Sequence, residues 1–421
     1  MRQDTQKKSY WLYPANIFMY SSLALYYTFI PIYLGLRDMD DFQTGLILSA
    51  GPLAAVAALL IWGRAADRAK YKNDVTALLL VTASVVFFAL SASGNFWFLF
   101  IGAGVFMFFM SPHGGLVDSI TLEQTTKARI KYGPIRALGT AGFCAVSLVL
   151  TFFTEIDIQI IFISYAVFAV LAAITIKLAP PVRGYAKYPM INSDSREKNP
   201  ESKGFFKAQK RRFANKNQIL SKREFSLAPF FKDKKYISVL IILAAVQIGN
   251  GCLLNFLPAH LTFTLGKPQW AWGVTCFFNF IGEIAIFFFF DKLINYFGPK
   301  KLVWFSVATQ AARLLVMAFF GSSMLAVVGI NFLTGSFPNV IAYCLAYYIN
   351  KNAAPSLRAS GQTLYFAIGL NLPRFAAGVA GGFAVGAAGF PAAMLMCGIF
   401  TLILFVFYPL FNVPTKIDEP A

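Results

Sequence analysis

The sequence predicts an all-α integral membrane protein of twelve transmembrane helices, arranged as two six-helix pseudo-symmetric bundles. Three observations predict it. Apolar runs of about 20 residues, long enough to cross a bilayer as a helix, recur along the whole 421-residue chain. The chain is 57% hydrophobic and 16% aromatic but only 13% charged, where a soluble domain carries about 25% charged residues. The two halves also echo one another around a long polar segment. Backbone amides in lipid must be satisfied internally, and runs of this length suit helices, not barrel strands.

In order, the spans are expected at 11–35, 43–65, 75–94, 96–119, 134–154, 157–178, 236–262, 269–291, 300–320, 323–349, 357–382 and 389–412. Their connections alternate in charge. Lys7 and Lys8 precede the first span, and an acidic turn, Arg37-Asp38-Met39-Asp40-Asp41, follows it. Arg64, Arg68, Lys70 and Lys72 flank the next turn, whereas Glu155 and Asp157 follow the fifth span. Lys292, Lys300, Lys301, Lys351 and Arg358 fall in later basic turns. All basic clusters share one side, so the positive-inside rule places both termini in the cytoplasm, in a bacterial inner membrane. The N-terminus is expected to be retained, because the first span is too long for a cleaved signal. The formal net charge of +18 is explained by this orientation signal, and no nucleic-acid partner is expected.

The chain divides into an N-terminal bundle (1–179), a basic cytoplasmic linker (180–235) and a C-terminal bundle (236–421). The linker is polar without apolar periodicity and is expected to be mostly disordered, with affinity for anionic lipid. Span one ends Phe29-Ile30-Pro31-Ile32-Tyr33-Leu34 and span seven ends Phe256-Leu257-Pro258-Ala259-His260-Leu261. The turn after span two holds Asp67-Arg68, and the one after span eight holds Asp291-Lys292. Such six-plus-six repeats are an architecture of secondary transporters, which bind substrate between the halves.

Charges at membrane depth are the candidate site. A lone charge there costs about 2.5–3.5 kcal/mol on insertion scales and so faces a partner or a watery cavity. Asp118 ends the fourth span and Arg136 starts the fifth. They are expected to pair on a substrate cavity, or simply to close a gate. Glu283, Arg313 and Arg374 lie in spans eight, nine and eleven. Two arginines and one glutamate at that depth are expected to sit together. Glu283 is the proton-carrier candidate; the alternative is that it only neutralises Arg374. Asn16, Tyr26 and Tyr27, with Gln247, Asn250 and Asn255, are polar candidates for substrate contact or helix–helix hydrogen bonding. His113 and His260 are read as structural hydrogen-bonders. Cys144, Cys252, Cys276, Cys344 and Cys397 are scattered singly, as buried thiols without metal-ligand spacing. No cofactor or metal is expected.

The turn Gly63-Arg64-Ala65-Ala66-Asp67-Arg68-Ala69-Lys70-Tyr71-Lys72 resembles the G-x-x-x-D-R-x-G-R-R signature of the major facilitator superfamily, with Lys70 at the second glycine. A second copy keeps Asp291, Lys292, Gly298, Lys300 and Lys301. The resemblance implies a gate latch built from Asp67, Arg68, Asp291 and Lys292. Within the superfamily, Tyr132-Gly133-x-x-Arg136-x-x-Gly139-Thr140-x-Gly142-Phe143 is similar to an element of the lactose-permease-like proton symporters, a group that includes nucleoside and phenylpropionate permeases. The resemblance implies that Asp118 and Arg136 hold the substrate, that Phe143 stacks on it, and that Glu283, Arg313 and Arg374 manage proton coupling. The group's span-ten histidine and glutamate are absent here, and Ile286 replaces an asparagine that holds galactosides.

The expectation is a monomeric transporter, not an enzyme, importing a small sugar-, oligosaccharide- or nucleoside-like solute with a proton. The alternatives are an exporter or antiporter of drugs or metabolites, and an uncoupled uniporter. The antiporters' G-P-x-x-G-G element in span five is missing. A membrane-embedded enzyme, the remote alternative, needs a nucleophile or general base clustered at an interface. The sequence offers no such cluster.

Overall fold

In a computed structural model of the chain, the described residues are 8–128, 130, 132–184, 228–353 and 358–415. They are helical almost throughout. Span one is Leu12–Gly35, span two Asp41–Arg68, span three Lys72–Ala92 and span four Phe96–Ala128. Span five is Tyr132–Thr154, span six Ile160–Leu178, span seven Lys234–Thr264 and span ten Met324–Ile349. Spans eight and nine are the two limbs of Trp270–Phe320, which turns at Gly298. Spans eleven and twelve are the two limbs of Gly361–Leu410, which turns at Gly389.

The chain-order expectation therefore holds, with two corrections. Loops expected after spans eight and eleven shrink to single glycines, Gly298 (φ 76) and Gly389 (φ 80). A side chain resists that backbone conformation and glycine does not. Span four, expected to stop at 119, runs on to Ala128. Its last turns are held from outside: Gln124 Nε2 donates to the carbonyls of Pro180 (3.0 Å) and Pro181 (3.3 Å). The expected basic linker lies, over 185–227, outside the described residues.

Local sequence sets the helix starts. Asp40 and Gln43 form a reciprocal capping box on span two. Asn95 accepts from the amides of Trp97 and Phe98, and Asp233 from those of Lys235 and Tyr236. The repeated proline sits inside span one as Pro31 and inside span seven as Pro258.

Each bundle has its own core. In the N-terminal bundle, Phe87 packs its ring 4.5 Å from Tyr165 and 4.9 Å from both Phe106 and Phe162. In the C-terminal bundle, one cluster gathers around Tyr236, Val303 and Leu345, and another around Phe256, Trp272 and Met394. Large apolar side chains such as Val85, Ile101, Phe152 and Phe319 point outward. In a multi-pass protein this is the lipid-facing surface.

The bundles meet at the end that carries the acidic turns. Trp272 Nε1 donates to the carbonyl of Thr28 (2.8 Å), Thr151 Oγ1 to that of Gln269 (3.0 Å), and the amide of Trp270 to Glu155 (3.4 Å). Spans two and eleven approach most closely here. A Cβ on Gly45 would stand 2.2 Å from the carbonyl oxygen of Gly378, so only glycine permits the contact.

Candidate functional site

A cavity of about 460 Å³ lies between the bundles, at membrane depth. Spans one, two, four and five line it from one side, and spans seven, eight, ten and eleven from the other. Pro31 and Pro52, which lie inside the helices of spans one and two, are part of its wall.

Span five contributes Arg136, Thr140 and Phe143, residues spaced one turn apart on a single helical face. Arg136 is fixed from three directions. Its Nη1 donates to Thr140 Oγ1 (2.9 Å), its Nε lies 3.8 Å from Asp118 Oδ1, and its guanidinium stands 4.0 Å over the Tyr20 ring. Tyr20 in turn donates to Asp118 Oδ2 at 3.5 Å. The motif glycine after Arg136 makes this possible, because a Cβ on Gly139 would strike the Tyr20 ring at 2.5 Å. Arg136 and Tyr20 reach the cavity wall, whereas Asp118 stands behind them. The arrangement presents a cation on an aromatic platform, held in orientation by a carboxylate.

Glu283 stands across the cavity. Its Oε1 accepts a short hydrogen bond from Tyr343 and another from Asn339 Nδ2 (3.3 Å). Tyr343 and Asn339 lie one turn apart on span ten. Glu283 and Arg136 line the same cavity from opposite bundles. Phe143 meets Phe280 edge-to-face, with centroids 4.8 Å apart, one turn from Glu283.

The three charges of the C-terminal bundle do not assemble as expected. Arg313 is fully buried and points at neutral oxygens: Asn331 Oδ1 (2.5 and 3.0 Å), Asn279 Oδ1 (2.7 Å) and Asn250 Oδ1 (3.1 Å). These asparagines come from spans seven, eight and ten, and each satisfies part of the guanidinium fork. Arg374 lines the cavity. Glu283 is thus held by a tyrosine and an asparagine, and neither arginine forms an ion pair with it among the described residues.

The remaining expected residues divide. Tyr26, Tyr27, Asn250 and Asn255 reach the cavity. Asn16 does not: it is buried, donating to the Leu12 carbonyl (2.8 Å) and Thr121 Oγ1 (3.1 Å). Gln247 is buried too, accepting from Asn250 at 3.3 Å. Both serve helix packing. At the basic end, Asp67 pairs with Lys72 (3.3 Å), which also donates to Ser119 (3.4 Å), all within the N-terminal bundle. Arg68 and Lys292 are exposed, and the side chain of Asp291 lies outside the described residues. His260 stacks on Phe390 at 4.5 Å.

Sequence reasoning missed Tyr20, Asn279, Asn331, Asn339 and Tyr343. A signal existed. Asn279 stands four residues before Glu283, and Asn339 four before Tyr343, so each pair shares a helical face. Polar residues at that spacing in an apolar span mark an inward face.

Comparison with known proteins agrees with this fold. The chain is 24% identical to the uncharacterized transporter YwbF of Bacillus subtilis (strain 168) over 369 residues, covering 87% of this chain and 84% of that one. The fold is similar to that of a mutant form of the nucleoside transporter NupG, with a TM-score of 0.75 at 16% identity over 96% of this chain and 99% of that one. It is also similar to the POT family transporter PepTSo, with a TM-score of 0.71 at 10% identity over 96% and 97% of the two chains. The model of the MFS_1-like family matches residues 10–411, and the chain therefore belongs to that family of major facilitator transporters.

Proposed function

We propose that this transporter imports a small polar solute together with a proton, by alternating access around the cavity between its bundles. The observation that carries the reading is the placement of Arg136 and Glu283. Each is oriented by its own partners, and both face one cavity from opposite bundles. Arg136 is the anchor for the solute, with Asp118 and Tyr20 positioning it. Phe143, Tyr26, Tyr27, Asn250 and Asn255 supply stacking and hydrogen bonds. The solute is of sugar, oligosaccharide or nucleoside type.

Glu283 carries the proton. Span ten lacks the histidine and glutamate of the related symporters, and Tyr343 with Asn339 supplies the polar contacts on that side. The pair Asp67–Lys72 belongs to the gate at the basic end. That end faces the cytoplasm of a bacterial cell, with the 180–235 segment as a basic linker against anionic lipid. The protein works as a monomer.

The test is proton movement. De-energised cells expressing the protein receive a panel of solutes while external pH is recorded. Alkalinisation with one solute class, abolished by Arg136→Ala, is the expected result. Uptake of a labelled solute without any pH change contradicts proton coupling and leaves a uniporter.

A further inference from the structure

The cavity wall is short of negative charge. Its cations are Arg136 and Arg374, and its acid is Glu283. One layer behind stand Asp118 and the buried Arg313. Three guanidiniums therefore share two carboxylates, and both carboxylates are engaged. Asp118 faces Arg136, and Glu283 accepts from Tyr343 and Asn339. Arg313 has its asparagine oxygens. Among the described residues, Arg374 has neither an ion pair nor a hydrogen bond. Its backbone and stem pack against span seven, where a Cβ on Gly251 would stand 3.7 Å from its Cα and 3.8 Å from its Cγ. Tyr27 of span one lines the same cavity.

An unpaired cation on a low-dielectric wall is costly, and a guanidinium is shaped to bind a carboxylate or phosphate through two parallel hydrogen bonds. We propose that the transported solute is an organic anion: its carboxylate or phosphate is taken by Arg374, and its ring body lies against Tyr27, Phe143 and Phe280. This deepens the reading of the cavity as a transport site and rests on it. The anion supplies a partner for the guanidinium that lacks one.

The test is calorimetric titration of the purified full-length protein with matched pairs of probes. The pairs are phenylacetate with phenylacetamide, glucuronate with glucuronamide, and uridine monophosphate with uridine. In at least one pair the charged member is expected to bind about tenfold or more tighter than the neutral one, the scale of a charge-assisted hydrogen bond. Arg374→Gln is expected to erase that preference, and Arg374→Lys to keep part of it. The pair that responds separates carboxylates from phosphate esters.

Equal or tighter binding of the neutral member in every pair overturns the proposal. So does a preference for charge that survives Arg374→Gln undiminished. Should Arg374→Gln not fold, Arg374→Lys decides: it keeps the charge but loses the paired donors, and an undiminished preference in it overturns the assignment to Arg374. Uptake into proteoliposomes separates this proposal from the reading beneath it. Uptake of a neutral member without competition from its anion overturns the anion assignment and keeps the transport role. Arg374-dependent binding of an anion that is never taken up keeps the anion site and removes the transport role.

Discussion

Arg136 and Glu283 illustrate how far single residues could be read from the sequence. Both were visible as charges where the surrounding residues are apolar, and an isolated charge in a bilayer needs a partner. Which partner was not visible. Arg136 has Asp118 3.8 Å away, as the spacing suggested, but Glu283 is held by Tyr343 and Asn339. Charge counting pairs acids with bases and overlooks a tyrosine hydroxyl or an amide that satisfies a carboxylate equally well. A consequence can be measured at this scale. Glu283→Gln keeps an oxygen that accepts from Tyr343 and Asn339 but loses the site of protonation. Solute exchange across proteoliposomes at equal pH is expected to stay within about threefold of wild type, while accumulation driven by a pH gradient disappears. Gradient-driven accumulation that persists in the variant contradicts Glu283 as the proton carrier.

Helices were the most legible elements, because apolar length alone identifies them. Their ends were less so. Span four outran its expected end since Gln124 is bound by the carbonyls of Pro180 and Pro181, a contact between segments 56 residues or more apart in sequence. The turns at Gly298 and Gly389 left no polar loop to mark them. The clamp around Arg313 was hidden for a similar reason. Its asparagines, Asn250, Asn279 and Asn331, come from three different spans and meet only in the folded bundle. This clamp ties spans seven, eight and ten to span nine. Asn331→Leu removes the oxygen that accepts from both Nε and Nη2, leaving a buried guanidinium partly unsatisfied. The expected cost is about 2–4 kcal/mol, read as a lower unfolding midpoint in detergent. An unchanged midpoint contradicts a structural role for the clamp.

For the whole molecule, the proposed alternating access makes the two bundles, closed at the acidic end around a central cavity, one of two arrangements. The closure is made by close backbone contact between spans two and eleven and by the bonds of Trp272 and Thr151 across the halves. The sequence announced two related halves through Pro31 and Pro258, and through Asp67-Arg68 and Asp291-Lys292. It gave no sign of which end would be shut, since glycine pairs such as Gly45 and Gly378 lie more than 300 positions apart and carry no pattern by themselves. The measurement that tests alternating access most directly is a cross-link at this closure. Asp41 Cβ stands 3.9 Å from where a Cβ on Gly386 would lie, within the range a disulfide spans. In a background lacking the native cysteines, Asp41→Cys with Gly386→Cys is expected to oxidise readily. Uptake should then fall to background and return on reduction. Full uptake with the cross-link formed would show that solute crosses without separating spans two and eleven, and would contradict the account.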